Sequence, residues 1–220
     1  MDVEIRHRPA FATMFIRLVE GSKIIVEADG MVSQSKNVNM ETRTNGNVLS
    51  ALAKRFFGYE SFFVNEFTVP SGEEGQLVVS QPNPGAIVEM QLDATTGVFM
   101  QPGSYIASEA GVTLSLHWAG FASWLGGEGL FRLKASGSGR VWFGGYGGII
   151  ERQIDGDFIV DTGHLLAYEP SLTMSATLPG GIFSSFFGGE GLVSRLSGKG
   201  KIYVQTRNMD GLAAWTNKYL

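Results

Sequence analysis

The residues that could most readily act as a catalytic pair are Glu128 and Glu190, which occupy equivalent places in two similar stretches of the chain. Two carboxylates can divide the acid and base roles of a hydrolytic reaction when both face the same substrate. Each of these glutamates stands between glycines at the end of a short helical pattern, which favours a separate turn for each side chain. We therefore predict that the chain has no catalytic residues.

Potential metal ligands are few and scattered. The three histidines lie far apart in the sequence and are predicted to be surface residues: His7, His117 and His164. The absence of cysteine excludes thiolate metal sites, disulfides and cysteine nucleophiles. Asp155 and Asp157 could fill the first and third positions of a calcium loop, but Ile159 takes the fifth, so a solvated hairpin loop is predicted instead. No dinucleotide-binding, P-loop or nucleophile-elbow motif occurs, and we predict no metal and no cofactor.

Six large apolar residues form three adjacent pairs, each followed by glycine: Phe56, Phe57, Trp124, Leu125, Phe186 and Phe187. They could form an apolar surface for a protein partner or for peripheral contact with a membrane. The alternative is that they close the open ends of a sandwich, since large aromatic residues are more often buried than exposed. The sequence predicts an interaction surface only under the first interpretation.

The overall charge argues against a nucleic-acid partner. The chain of 220 residues carries a net charge of −4, and its densest basic stretch covers only residues 6–8. The electrostatic footprint that binds a phosphate backbone is therefore missing. With 44% hydrophobic and 17% charged residues, the composition is that of a chain with a packed core.

The chain carries no predicted targeting or membrane-spanning segment. Its first four residues include two acids and no apolar run, unlike a signal peptide. The longest uncharged stretch, residues 170–189, contains prolines, glycines and many hydroxyl side chains. We expect a cytoplasmic protein.

Three diverged copies of one unit can be traced along the chain. Residues 124–130 match residues 186–192, and each match is followed by a Gly-x-Gly turn and an aromatic strand. Residues 102–107 likewise match residues 162–167, with residues 29–33 as a weaker first copy. Because self-similarity at a fixed period marks repeated structural units, we predict three units at 1–85, 86–150 and 151–220, packed together as one globular body.

Alternating apolar and polar residues predict strands in every unit. Leu114, Leu116 and Trp118 alternate with polar residues, and Val38 and Met40 do the same in the first unit. Short helical patterns occur at residues 48–56, 121–125 and 182–187. The predicted fold is therefore all-β, with three tandem sandwich-like repeats of antiparallel strands, pseudo-threefold symmetry and short helices at the ends of the units.

A family resemblance lies in the third unit. Residues 188–192, 196–200 and 203–207 resemble the C-terminal part of the family named for the yeast protein "altered inheritance of mitochondria 24". The resemblance implies a fold like that of the tryptophan RNA-binding attenuation protein, with its β units in tandem within one chain. It also implies that mitochondrial relatives act in inner-membrane organisation, and it carries over no catalytic residues.

Three functions remain open at this point. The absent motifs and the repeats favour a non-enzymatic scaffold or protein-interaction protein, which we expect to form homo-oligomers. A small-ligand or RNA-binding module like the attenuation protein is the alternative, although the negative charge argues against RNA. An enzyme of unrecognised type is the third.

Overall fold

The predicted all-β class is confirmed. A computed structural model describes residues 1–44, 63–118, 131–177 and 193–218, and there the regular structure consists of strands, one 3₁₀ turn (Thr162–His164) and one helix, α1 (Met209–Thr216). The strands are β1 (Asp2–Arg6), β2 (Thr13–Val19), β3 (Lys23–Glu27), β4 (Met31–Gln34), β5 (Asn39–Thr44), β6 (Phe63–Thr68), β7 (Glu74–Ser80), β8 (Ile87–Leu92), β9 (Gly97–Met100), β10 (Tyr105–Glu109), β11 (Val112–Trp118), β12 (Phe131–Gly137), β13 (Gly139–Gly144), β14 (Ile149–Asp161), β15 (Leu165–Tyr168), β16 (Thr173–Thr177) and β17 (Val193–Gln205).

The strands form three sheets, and every pairing between named strands is antiparallel, as predicted. The first sheet has the order β1-β2-β7-β4, and the second has the order β5-β6-β3-β10-β13-β8. The third has the order β11-β12-β9-β15-β17-β14, with β16 also paired to β17. The second and third sheets each combine strands that are distant in the sequence, through the pairs β3–β10 and β9–β15.

One irregularity recurs in these sheets. The pairing of β4 with β7 skips Val32, the pairing of β10 with β13 skips Ile106, and the pairing of β15 with β17 skips Leu166. Each skip is a bulge of one extra residue, which bends the strand and increases its local twist.

The predicted hairpin loop around Asp155 and Asp157 is wrong. Both residues lie within β14, which pairs with β17 without interruption along its whole length. Gly156 and Gly198 face each other at the middle of this ladder, with φ of 109° and 123°. Glycine adopts these angles without a steric penalty from a Cβ atom. The β14–β17 ladder can therefore bend at this point while its hydrogen bonding continues.

The buried side chains form three clusters, and two of them cross the predicted unit boundaries. The first joins β2, β3 and β7 to Ile87, Ile106 and Trp142, so it spans the boundary at residue 85. The second joins strands β9 to β13 to Leu166 and Tyr203, across the boundary at residue 150. The third consists mainly of side chains from β14, β15 and β17. Burial of large apolar side chains, each contributing about 1.5–3 kcal/mol, therefore ties successive parts of the chain together.

The predicted short helices at residues 48–56, 121–125 and 182–187 lie outside the described residues. The helix that the structure does describe, α1, was not predicted. Asn208 caps it by accepting a hydrogen bond from the Gly211 N–H at 2.6 Å. None of its residues is buried, and its apolar side chains Met209 and Trp215 are exposed.

Candidate interaction surface

The six residues of the predicted aromatic surface lie outside the described residues: Phe56, Phe57, Trp124, Leu125, Phe186 and Phe187. The hairpins that carry them are described. In each hairpin the last described residue before the segment pairs with the first one after it: Thr44 with Phe63, Trp118 with Phe131, and Thr177 with Val193. The two ends of each segment therefore lie side by side at the end of an antiparallel ladder.

The strand β4 forms an exposed edge of the first sheet. All four of its residues are exposed, including the apolar side chains of Met31 (39%) and Val32 (59%). Hydrogen bonds from Ser80 N–H to Gly30 O and from Ser35 N–H to Gln76 O, at 3.0 and 2.8 Å, hold the strand to β7. No strand in the described ranges pairs with its other side. Because hydrogen-bonding direction alternates along a strand, the N–H of Gln34 points away from β7.

The strands β10 and β15 have the same bulged pairing as β4 but a different environment. β10 lies between β13 and β3, and β15 lies between β17 and β9. Their side chains from Tyr105 to Ser108 and from Leu165 to Tyr168 are at most 7% exposed. The two buried strands, β10 and β15, are thus each paired on both sides. In the described structure β4 is paired on one side only.

The last four residues of β14, residues 158–161, form a second edge. They pair with the first half of β17, and within the part of the chain that the structure describes no strand pairs with their other side. Ile159 is 57% exposed. Next to it, hydrogen bonds from Arg195 and Ser197 hold the pKa of Asp157 below its usual range, and Asp157 forms an ion pair with Arg195.

His164 is half-buried and hydrogen-bonded, so its prediction as a plain surface residue is wrong. It lines a cavity of about 440 Å³ together with Tyr146, Arg207 and Trp215. Its Nδ1 lies 2.7 Å from the carbonyl oxygen of Gln205, and its Nε2 lies 2.8 Å from Nδ2 of Asn208. Since a carbonyl can only accept, Nδ1 donates and Nε2 accepts from the amide. Both ring nitrogens of His164 are therefore hydrogen-bonded within the chain.

The described residues contain no cluster of three or more His, Cys, Asp or Glu side chains placed to hold a metal ion. A search of the same residues finds no helix with the length and hydrophobicity needed to cross a bilayer. Glu128 and Glu190, the sequence candidates for acid and base roles, lie outside the described ranges.

Sequence reasoning missed the edges formed by β4 and by residues 158–161. A signal for the first was present, because residues 29–33 align with residues 102–107 and 162–167. Where those copies have Ala107 and Ala167, the first has Ser33, followed by Gln34. Polar residues at these positions indicate a strand whose outer side is not covered by the same chain. The pairing of residues 158–161 gave no comparable signal.

Comparisons with known proteins agree on one family. The family model described as Mitochondrial biogenesis AIM24 matches residues 3–207. An uncharacterized protein of Streptococcus pyogenes serotype M6 is 26% identical over 219 residues, covering 96% of this chain and 87% of that protein. A crystal structure of another Streptococcus pyogenes protein superposes with a TM-score of 0.81 at 24% identity, covering 100% of this chain and 99% of that one.

Proposed function

The chain belongs to the Mitochondrial biogenesis AIM24 family, and we propose that it works as a non-enzymatic scaffold that binds proteins, including copies of itself, through unpaired strand edges. The observation that carries this proposal is the exposure of all four residues of β4. A sheet edge with free backbone groups is a template for pairing with another chain, and proteins usually cover such an edge. Exposed Met31 and Val32 add apolar area at the same place.

The proposal includes three copies of one six-stranded unit arranged as an open row. Support comes from pairings that recur: β7 pairs with β2 and β4, β13 with β8 and β10, and β17 with β14 and β15. The pairs β3–β10 and β9–β15 join one unit to the next. A row has a free edge at each end, whereas a closed pseudo-threefold ring would need residues 158–161 to pair with β4 of the same chain.

A nucleic-acid partner has little support. The net charge is −4, and many of the described cations are already paired with carboxylates, as Lys23 and Arg43 are with Glu66. Arg140 likewise binds Glu109 through two nitrogens at 2.8 and 2.9 Å. Paired cations contribute little to the counterion release that drives phosphate binding. Protein is therefore the proposed partner.

Light scattering of Val32→Lys tests the proposal. We expect the unmodified protein to show a mass that is a multiple of 23.8 kDa at micromolar concentration. A lysine on an edge strand disfavours pairing with another chain, so Val32→Lys should lower the mass towards 23.8 kDa. Phe11→Lys is the matched control, since Phe11 is 70% exposed but lies outside the strands. An unmodified protein that stays at 23.8 kDa at every concentration would refute self-association.

The aromatic segments need a separate variant. Combined Trp124→Ser and Phe187→Ser should leave the mass unchanged if the edges carry the association. A loss of mass with retained β-sheet signal would assign the interface to those segments instead, and unfolding would identify the two aromatic residues as core.

The non-enzymatic proposal also predicts that Glu128→Gln combined with Glu190→Gln removes no activity. A substrate whose turnover collapses in that variant would overturn it.

A further inference from the structure

We propose that β4 of one copy pairs antiparallel with residues 158–161 of a second copy, with Ser33 opposite Val160 and Gln34 opposite Ile159. This inference rests on the proposed function and specifies its interface. The partner is a second copy of the chain because the chain already contains two junctions of the same kind. We take β4 and residues 158–161 to be the two halves of a third junction of this kind.

The two internal junctions share one register. At the first, Ala107 pairs with Val26 and Ser108 pairs with Ile25. At the second, Ala167 pairs with Met100 and Tyr168 pairs with Phe99. In both, the residue directly after the bulge of one strand faces the corresponding residue of the other, so the junction has a fixed geometry.

The residue equivalent to Ala107 and Ala167 on β4 is Ser33. All three follow the skipped residue of the bulge and pair with the next strand at the same step: Ser33 with Val78, Ala107 with Trp142, and Ala167 with Tyr203. Gln34 is then equivalent to Ser108 and Tyr168.

The residue equivalent to Val26 and Met100 on β14 is Val160. Met100 pairs with Leu133, four residues before Gly137, and Val160 pairs with Ser194, four residues before Gly198. Both glycines have positive φ, with Gly137 at the end of β12 and Gly198 inside the continuous strand β17. Val26, Met100 and Val160 are all at most 6% exposed, so the three share the same inward-facing position.

The residue before Val26, Met100 or Val160 is covered at the two internal junctions but exposed at the edge formed by residues 158–161. Ile25 and Phe99 are partly buried against the second and third clusters, respectively. Ile159 takes the same position in the ladder and is 57% exposed. On the other edge, Met31 and Val32 stand where Tyr105 and Ile106 are 1% and 2% exposed. Pairing the edges would give these three apolar side chains the cover that their equivalents have.

The proposed pairing joins two different surfaces, so it is heterologous. Such contacts build rings when the rotation closes and open filaments when it does not. Closure within one chain has no support in the described residues, because there β4 pairs with β7, residues 158–161 pair with β17, and the two edges do not pair with each other. The same register brings Lys36 of one copy opposite Asp157 of the other, which is paired with Arg195 of its own chain.

Disulfide trapping tests the register directly, since the natural chain has no cysteine. Gln34→Cys and Ile159→Cys are made in separate full-length chains, mixed and mildly oxidised. We expect a linked dimer of twice 23.8 kDa from the mixture and none from either variant alone. Ser35→Cys with Ile159→Cys is the register control, because neighbouring residues on a strand face opposite sides of the sheet. Phe11→Cys with Ile159→Cys controls for random collision.

The outcomes separate this inference from the proposed function. Equal trapping of the mixture and of the single variants overturns the heterologous pairing, and an internal disulfide in a chain that carries both cysteines overturns pairing between copies. If light scattering shows an oligomer and the mixture does not link, the interface inference fails while the scaffold proposal stands. If the protein is monomeric and does not link, both fail.

Discussion

At the residue scale, two buried polar side chains of the second sheet have defined hydrogen-bond partners. Trp142 is fully buried, and its indole N–H donates to a carboxylate oxygen of Glu89 at 2.8 Å. The phenol of Tyr105, 1% exposed, donates to the carbonyl oxygen of Ile25 at 3.1 Å and lies 2.9 Å from the hydroxyl of Ser108. Since an unsatisfied buried donor costs about 1–3 kcal/mol, these contacts fix how β10 and β13 pack against their neighbours.

Two tyrosines should make the protein sensitive to alkali. Burial raises the pKa of Tyr105 and of Tyr203 above the ordinary phenol value. Above about pH 10 the unfolded chain loses phenol protons that the native state keeps, so the free energy of unfolding should fall as pH rises. Phenolate absorbance followed together with circular dichroism would check this. At least two tyrosines should ionise only as the sheet signal disappears.

Tyr105→Phe provides the control for that titration. The variant should remove one of the late-ionising groups and lower the free energy of unfolding by about 1 kcal/mol, the usual worth of a buried hydrogen bond. Ionisation of all tyrosines near the ordinary phenol pKa with the sheet intact would contradict the burial described here.

Single residues also show where sequence reasoning stops. The alternation of Leu114 and Leu116 with polar residues predicted a strand, and β11 covers both. The same alternation predicted an inward-facing Met40, which is 47% exposed. Apolar periodicity identifies the inward side of a strand only where another layer covers it, and the sequence does not say which strands are covered.

At the element scale, the neighbouring strand distinguishes buried strands from open edges. β4, β10 and β15 share one bulge and one type of partner, yet only β4 has all its residues exposed. The sequence predicted antiparallel strands because periodicity and turn glycines are local signals. The sequence did not predict α1, because a short exposed helix has a weak apolar pattern. It also did not predict the long β14–β17 ladder, because glycines in a continuous ladder resemble a turn in the sequence.

The segments at residues 84–86 and 145–147 cross with their backbones in close contact. Gly85 forms a bridge with Gly147, and Ala86 N–H donates to Gly147 O at 2.8 Å. A Cβ on Gly85 would lie 1.9 Å from the carbonyl oxygen of Gly145. A side chain at residue 85 would therefore force the two backbones apart. With glycine there, the close crossing fixes the relative orientation of the hairpins on either side.

Gly85→Ala should therefore destabilise the protein. We expect a loss of about 1–3 kcal/mol in the free energy of unfolding, the usual cost of overpacking, measured by urea denaturation. Gly148→Ala is the matched control, because a Cβ there would meet only the side chain of Thr206 at 3.6 Å. Equal stability of the two variants would show that the crossing has room to relax.

At the scale of the whole molecule, the described residues form three core clusters, and within the same residues β4 and residues 158–161 have no strand on their outer side. The first and second cores are bounded by strands from successive parts of the chain, whereas the third lies mainly within β14 to β17. Each internal junction covers a strand that would otherwise be exposed. The self-association proposed above would bury the outer sides of β4 and of residues 158–161.

Hydrogen exchange measured at low and high protein concentration tests whether the edges pair between copies. Amides of β4 and of residues 158–161 should exchange more slowly as concentration rises, because edge pairing satisfies their outward-facing backbone groups. Amides of β10 and β15 should not change, since both strands already have two neighbours. Exchange at both edges that is independent of concentration, in a protein that stays at 23.8 kDa, would show that the edges do not pair between copies.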